Sequence, residues 1–208
     1  MRCNAFIIEV LIENILSPQF VRQRSSTFTF HYPEHPECVN LLSVGRYSPQ
    51  KNFDNVPDIC RRIRESGINA YWYIIGYGGD GALIRQKIQE AGMQEYVLLL
   101  GKQSNPYPYM KACDFYVQPS RYEGKSVTVR EAQMLGKPVI VTNYATASSQ
   151  IRQGDDGVIV PMDNAGCAEG ITKFIQDTPL QAHIKEFLRD HDFGNEEEVK
   201  KIYQLIEQ

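Results

Sequence analysis

Histidine is scarce and cysteine is scattered. The 208-residue chain has four histidines, none in an HExxH or similar metal-binding spacing. Its five cysteines, Cys3, Cys38, Cys60, Cys113 and Cys167, are odd in number, far apart and without a CxxC pair. Neither a zinc site nor a disulfide framework is expected from such a set. Excess positive charge is missing too. Twenty-two Lys and Arg face 25 Asp and Glu, a net charge of -3, which is the wrong sign for a protein that grips nucleic acid through its phosphates. No apolar run reaches the roughly 18 residues that a bilayer-crossing helix requires. The opening stretch MRCNAFIIEVLIEN has an apolar patch, but Glu9 and Glu13 interrupt it, and it lacks the h-region and cleavage site of a signal peptide. There is no internal repeat and no low-complexity tract. These absences predict a reduced, cytoplasmic chain that meets a membrane peripherally at most.

What is present is enough for a core. Hydrophobic residues make up 42% and charged residues 23%, so a chain of this length can fold without cross-links. From residue 39 onward, strand and helix signals alternate. VNLLSV (39–44), AYWYIIG (70–76), YVLLL (96–100), DFYVQ (114–118), PVIVT (138–142) and GVIV (157–160) are short apolar runs. Between them lie segments of helical period. Phe53, Val56, Ile59, Cys60 and Ile63 share one face, with Gly67 as a stop; Leu83, Ile84, Ile88 and Ala91 share another, ending at Gly92. A short helix is expected around 107–112, another from Ser126 to Leu135, and two more near 165–177 and 180–189. Six apolar strands joined by helices predict a parallel sheet covered on both faces: an α/β, doubly wound, Rossmann-like fold. Residues 1–38 stand outside the repeat and read as one strand over 5–12 and a Ser/Gln/Arg-rich connector. Residues 191–208 end in a helix, with Glu196, Glu197 and Glu198 favourably placed in its first turn and Val199, Ile202, Tyr203 and Ile206 as its stripe.

Ligands of open parallel sheets bind beyond the carboxyl ends of the strands, so the loops there carry the functional reading. The first, GRYSPQKN, holds Arg46 and Lys51, which form either a phosphate clamp or a solvated loop. The second, GYGGDG, fits GxGxxG through Gly76, Gly78 and Gly81. The acid that should hold a ribose about 20 residues further on is absent, since Gly101 and Lys102 stand there, and the motif follows the second strand rather than the first. It reads as a close-approach turn and not as an NAD site. The third loop, GKQSNPYPY, is rich in turn formers and could flank a base. The fourth, QPSRYEGKSVTVREAQMLGKP, sets Glu123 in a turn with Gly124 and Glu131 inside the helix that follows. Backbone N–H groups at that helix start offer an anion site. The plainer alternative is a helix with an acidic start and one solvated glutamate.

Taken together, these loops resemble one family. YEGKSVTVREAQMLGKPVIVTN resembles the E-x7-E signature of the GT4 family of retaining glycosyltransferases, with Glu123 and Glu131 as its glutamates. LLSVGRYSPQKN resembles the family's donor clamp, through Arg46 and Lys51, and YIIGYGGD its glycine turn. The Tyr-Glu-Gly-Lys-Ser form looks like the branch that builds bacterial capsule, O-antigen or exopolysaccharide. The likeness covers roughly residues 39–174. It implies the C-terminal, donor-binding half of a GT-B enzyme, with residues 1–38 as the tail of an N-terminal domain and connector, 39–190 as the Rossmann-like nucleotide-sugar domain and 191–208 as a C-terminal helix. It further implies that Arg46 and Lys51 hold a diphosphate and that Glu131 accepts from ribose hydroxyls. Glu123 would accept from the transferred sugar, and the N–H groups of Gly124, Lys125 and Ser126 would cradle the β-phosphate. Gly76, Gly78 and Lys102 complete the donor-binding set, and Arg46, Lys51 and Glu123 serve transfer. The donor is expected to be a UDP-sugar, with GDP- and ADP-sugars as alternatives. No cofactor or metal is expected, nor any nucleic-acid partner. The partners would be a glycan or lipid-linked acceptor and the enzyme's other domain. Gly124-Lys125-Ser126 stands where many members have Gly-Phe-Gly, so Lys125 adds a cation for either phosphate or an acidic sugar. A sugar-nucleotide epimerase of GT-B build and a non-catalytic nucleotide-sugar-binding module are the competing functions.

Overall fold

The computed structural model describes residues 16–33 and 37–195. The strand expected over 5–12 and the helix expected after residue 195 lie outside them. Six strands form one sheet: β1 (Val39–Val44), β2 (Ala70–Ile75), β3 (Val97–Gly101), β4 (Phe115–Gln118), β5 (Val139–Thr142) and β6 (Val158–Val160). Their order is β3-β2-β1-β4-β5-β6, and every neighbouring pair is parallel. The chain therefore builds outward from β1 in one direction, returns to β1's other side at β4, and builds outward again.

Side-chain alternation explains why both faces need cover. Along β2, Ala70, Trp72 and Ile74 enter one core, while Tyr71, Tyr73 and Ile75 enter the other. The first core is closed by α2 (Val56–Glu65), α3 (Gly81–Glu90), α7 (Asn164–Gln176) and α8 (Thr178–Asp190). The second is closed by α4 (Tyr107–Ala112), α5 (Val127–Met134) and α6 (Ala147–Gln150). Phe53, Val56, Ile59, Cys60 and Ile63 are all buried, as their spacing predicts. In α3 the stripe is narrower than expected: Ile84 and Ile88 are buried, but Leu83 is exposed. A polar chain crosses the sheet's interior. Trp72 Nε1 donates to Ser43 Oγ at 2.9 Å, and Ser43 Oγ donates to Val117 O at 2.6 Å. It ties β2, β1 and β4 without leaving the indole or the hydroxyl unpaired, which would cost about 1–3 kcal/mol per group.

The segment expected as a connector contains a helix, α1 (Pro18–Ser25). Ser17 caps it by accepting from the N–H of Phe20, and Pro18 occupies its first turn, where a missing N–H costs nothing. It packs on α4 and α5. Val21 is buried, and Arg22 Nε donates to Met134 O at 3.4 Å. Among the described residues no helix is long and apolar enough to cross a membrane.

Candidate functional site

The strand order switches between β1 and β4, and the loops leaving these two parallel strands meet at their carboxyl ends. The β1 loop is shaped by its own residues. Pro49–Lys51 form a single 3-10 turn. Asn52 ends it in the left-handed conformation at φ 58°, which asparagine tolerates better than most residues. Its side chain is held at 2.7 Å by Asn55 Nδ2. Gly45 makes room for the clamp, because a Cβ there would lie 2.9 Å from Lys51 Cε.

Gly76 and Gly78 support this loop from β2. A Cβ on Gly76 would come within 1.9 Å of Gly45 O, and one on Gly78 within 2.3 Å of Tyr47 O. Only hydrogen fits there, and Tyr47 N–H reaches Tyr77 O at 2.8 Å across the same approach. The glycines thus admit one backbone to another, as the sequence reading of the turn expects. Lys102 is exposed beyond β3, with Nζ 4.9 Å from the ring centre of Tyr77. Arg46 is exposed on the β1 loop.

The β4 loop brings Glu123 onto Lys51. Lys51 Nζ lies 2.6 Å from Glu123 Oε1, with both side chains largely buried, 14% and 7% exposed. The same oxygen accepts from Ser120 Oγ at 2.7 Å and Gln118 Nε2 at 3.1 Å, and Gln50 Nε2 reaches Oε2 at 3.2 Å. Four donors, from the β1 loop, the end of β4 and the loop after it, therefore fix this carboxylate. The loops are strapped as well. Arg121 pairs with Asp54 through two bonds of 2.8 and 3.1 Å, donates its backbone N–H to Gln50 O, and reaches Pro49 O. Thr146 Oγ1 holds the turn from the β5 side, against the carbonyls of Glu123 and Gly124.

Glu131 sits within α5, partly buried, and Tyr107 OH donates to its Oε1 at 2.7 Å. Burial pushes its carboxyl above the ordinary carboxylate value, and the Tyr107 hydrogen bond partly opposes that. Ser126, the cap of α5, is buried. Its N–H is engaged by Gln150 Oε1 at 2.9 Å, and Gln150 returns a bond to Ser126 O at 2.7 Å. That removes the Ser126 N–H from the phosphate cradle the resemblance implies; the exposed Gly124 and Lys125 precede it in the turn. A cleft of about 610 Å³ is lined among others by Lys125, Ser126, Arg130 and Arg152, and by none of Arg46, Lys51, Glu123 or Glu131.

Sequence reasoning thus brought forward Lys51 and Glu123, which the fold joins, and Glu131, which it places on the adjoining helix. It missed Gln50, Gln118, Ser120, Tyr107 and the Arg121–Asp54 strap. The signal for Gln118 and Ser120 was present: polar residues at the buried end of an apolar strand need partners.

Comparison with known proteins points the same way. The model of the family described as glycosyl transferases group 1 matches residues 32–191. The chain is 29% identical over 147 residues to the N-acetylgalactosamine-N,N'-diacetylbacillosaminyl-diphospho-undecaprenol 4-alpha-N-acetylgalactosaminyltransferase of Campylobacter jejuni, covering 70% of this chain and 40% of that protein. It is 24% identical over 153 residues to the lipopolysaccharide core biosynthesis glycosyltransferase LpsE of Rhizobium meliloti, covering 73% and 43%. The chain therefore spans less than half the length of these relatives. Among solved structures, its fold matches a TarM mutant of S. aureus in complex with fondaparinux, alpha-GlcNAc-glycerol and UDP. The TM-score is 0.78 at 19% identity, over 99% of this chain and 41% of that one. With a family match over most of its length and the GT-B-type sheet beneath it, this chain belongs to the group 1 glycosyl transferases.

Proposed function

We propose that this chain binds the nucleotide-sugar donor, a UDP-sugar, for retaining glycosyl transfer to a polysaccharide or lipid-linked glycan. The observation that carries the reading is the Lys51–Glu123 pair at 2.6 Å, built from the β1 and β4 loops on either side of the point where the strand order switches. Sheets of this kind take ligands at that point. Arg46 and Lys51 supply the positive charge that a diphosphate requires both when bound and when leaving, since departure of a nucleoside diphosphate builds negative charge. The first turn of α5, beyond Ser126, adds the positive end of a helix, which favours an anion. Glu131 takes the ribose hydroxyls and Glu123 the hydroxyls of the sugar. Fixed cations in this position let the site work without a metal ion. UDP is preferred because the TarM structure similar to this fold holds UDP. Transfer itself calls for an acceptor-binding part beyond the span that matches the relatives. The site would work at the cytoplasmic side, peripheral to the inner membrane face.

A thermal-shift panel of UDP-, GDP-, ADP- and dTDP-sugars tests the reading, because a ligand that binds only the folded state raises its stability by mass action. The expected result is a shift with UDP-sugar that persists in EDTA. No shift with any nucleotide would refute the reading, and a shift that needs added Mg²⁺ or Mn²⁺ would refute its metal-free part.

A further inference from the structure

We propose that Tyr107 is a positioning residue of the donor site, whose hydroxyl claims Oε1 of Glu131 and leaves Oε2 directed to the ribose of a bound nucleoside diphosphate. The inference rests on the reading of Glu131 as the ribose partner and adds a residue to it.

The geometry is specific. Tyr107 opens α4 and reaches across 24 residues of sequence to Glu131 Oε1 at 2.7 Å. The tyrosine is itself held from two sides. Its backbone N–H reaches Asn105 Oδ1 at 3.3 Å, and the buried Asn105 donates to Arg24 O and Thr27 Oγ1, both at 2.9 Å. Phe20 of α1 meets its ring edge-on, with centroids 6.3 Å apart. A glutamate side chain loses rotamer freedom when it is fixed. A rigid partner that fixes it before the ligand arrives removes that cost from binding.

Among the described residues, these charged and titratable groups act on Glu131 or on its partner. Tyr107 faces it from α4. Tyr116 of β4 feels its charge, and Arg24 of α1 acts on Tyr107. Arg22 of α1 reaches the carbonyl of Met134 on the same helix. Burial raises the Glu131 carboxyl, and the Tyr107 hydrogen bond lowers it. Removing the hydroxyl therefore both loosens the side chain and makes it protonate at higher pH.

The test is calorimetric titration of UDP into the wild type, Tyr107→Phe, Glu131→Gln and the double variant, at a series of pH values from about 8 down toward the ordinary carboxylate range. Phenylalanine keeps the ring packed on Phe20, and thermal melts check the fold. Near pH 8, Tyr107→Phe is expected to weaken UDP about 3–10-fold, the loss of one hydrogen bond. The ratio of its dissociation constant to the wild type's should grow as pH falls. The ligand's own titration cancels in that ratio. In the Glu131→Gln background the same substitution should change affinity by less than 2-fold at every pH. Tyr109→Phe, which loses only a 3.3 Å bond to Gln103, should match the wild type. An equal, pH-independent loss in both backgrounds would mean that Tyr107 only supports the fold, and would overturn the proposal while the donor reading stands. Failure of the wild type to bind UDP, GDP or ADP would bring down the donor reading, and this proposal with it.

Discussion

At the scale of single residues, Lys51 serves two partners. It fixes Glu123 at 2.6 Å, and in the proposed function it also supplies charge for a diphosphate. Arg46 is exposed on the same loop. The two cations should therefore differ on mutation. Arg46→Ala is expected to weaken UDP and UDP-sugar alike, by about 1.5–3 kcal/mol for a charge-assisted contact, or one to two orders of magnitude in affinity. Lys51→Ala should weaken UDP as much, and UDP-sugar further, because Glu123 loses one of its four donors. Isothermal titration with both ligands separates the cases, and unchanged binding in both variants would place the clamp elsewhere. Glu131 carries a stability cost of its own. Burial raises its folded-state pKa above the unfolded value, so the stability it contributes is fully present below the unfolded pKa, about 4.3. That contribution is lost as pH rises through the folded value. Glu131→Gln is therefore expected to melt higher than the wild type at pH 7 and to lose that advantage below about pH 4, while binding UDP less tightly.

Elements matter here through their ends. The strands deliver loops to one edge, and the glycine turn after β2 holds the β1 loop in place. At Gly78 a methyl group would meet Tyr47 O at 2.3 Å, whereas at Gly92, φ +66°, nothing lies within 4 Å of the added carbon. Gly78→Ala should cost about 1–3 kcal/mol through forced backbone displacement and weaken nucleotide binding with it. Gly92→Ala should cost about 1–2 kcal/mol from left-handed strain alone and leave affinity unchanged. Denaturant melts and UDP titration of the two variants check this pair; equal affinity losses would show that the turn does not shape the clamp. The elements were largely legible in the sequence. All six strands and the helices α2, α3, α4, α5, α7 and α8 follow from apolar runs and helical spacing, which report burial directly, whereas the four-residue α6 gave no such signal. The helix α1 was not, because PQFVRQRS is short and mostly polar, and its order comes from Ser17 capping and from packing on α4 and α5.

At the scale of the whole molecule, the site exists because the strand order switches between β1 and β4. Sequence spacing points to Arg46, Lys51, Glu123 and Glu131 as chemistry-bearing residues, but not to their assembly. Lys51 and Glu123 are 72 positions apart, and only the parallel pairing of β1 with β4 makes them neighbours. Gln50 and Tyr107 escaped notice for the same reason: each is an ordinary polar residue until the fold gives it a carboxylate to hold. The central claim is that the two glutamates grip different parts of one donor. Glu123 lies in the turn before α5 and Glu131 inside that helix, so the two carboxylates occupy different places along the site, as a sugar and a ribose require. The most direct test is calorimetric: dissociation constants of UDP and of UDP-sugar for Glu123→Ala and Glu131→Ala, each against the wild type at one salt concentration. Glu131→Ala is expected to weaken both ligands by a similar factor, and Glu123→Ala to weaken UDP-sugar while leaving UDP nearly unchanged. Loss of UDP binding in Glu123→Ala equal to its loss of UDP-sugar binding would contradict the account.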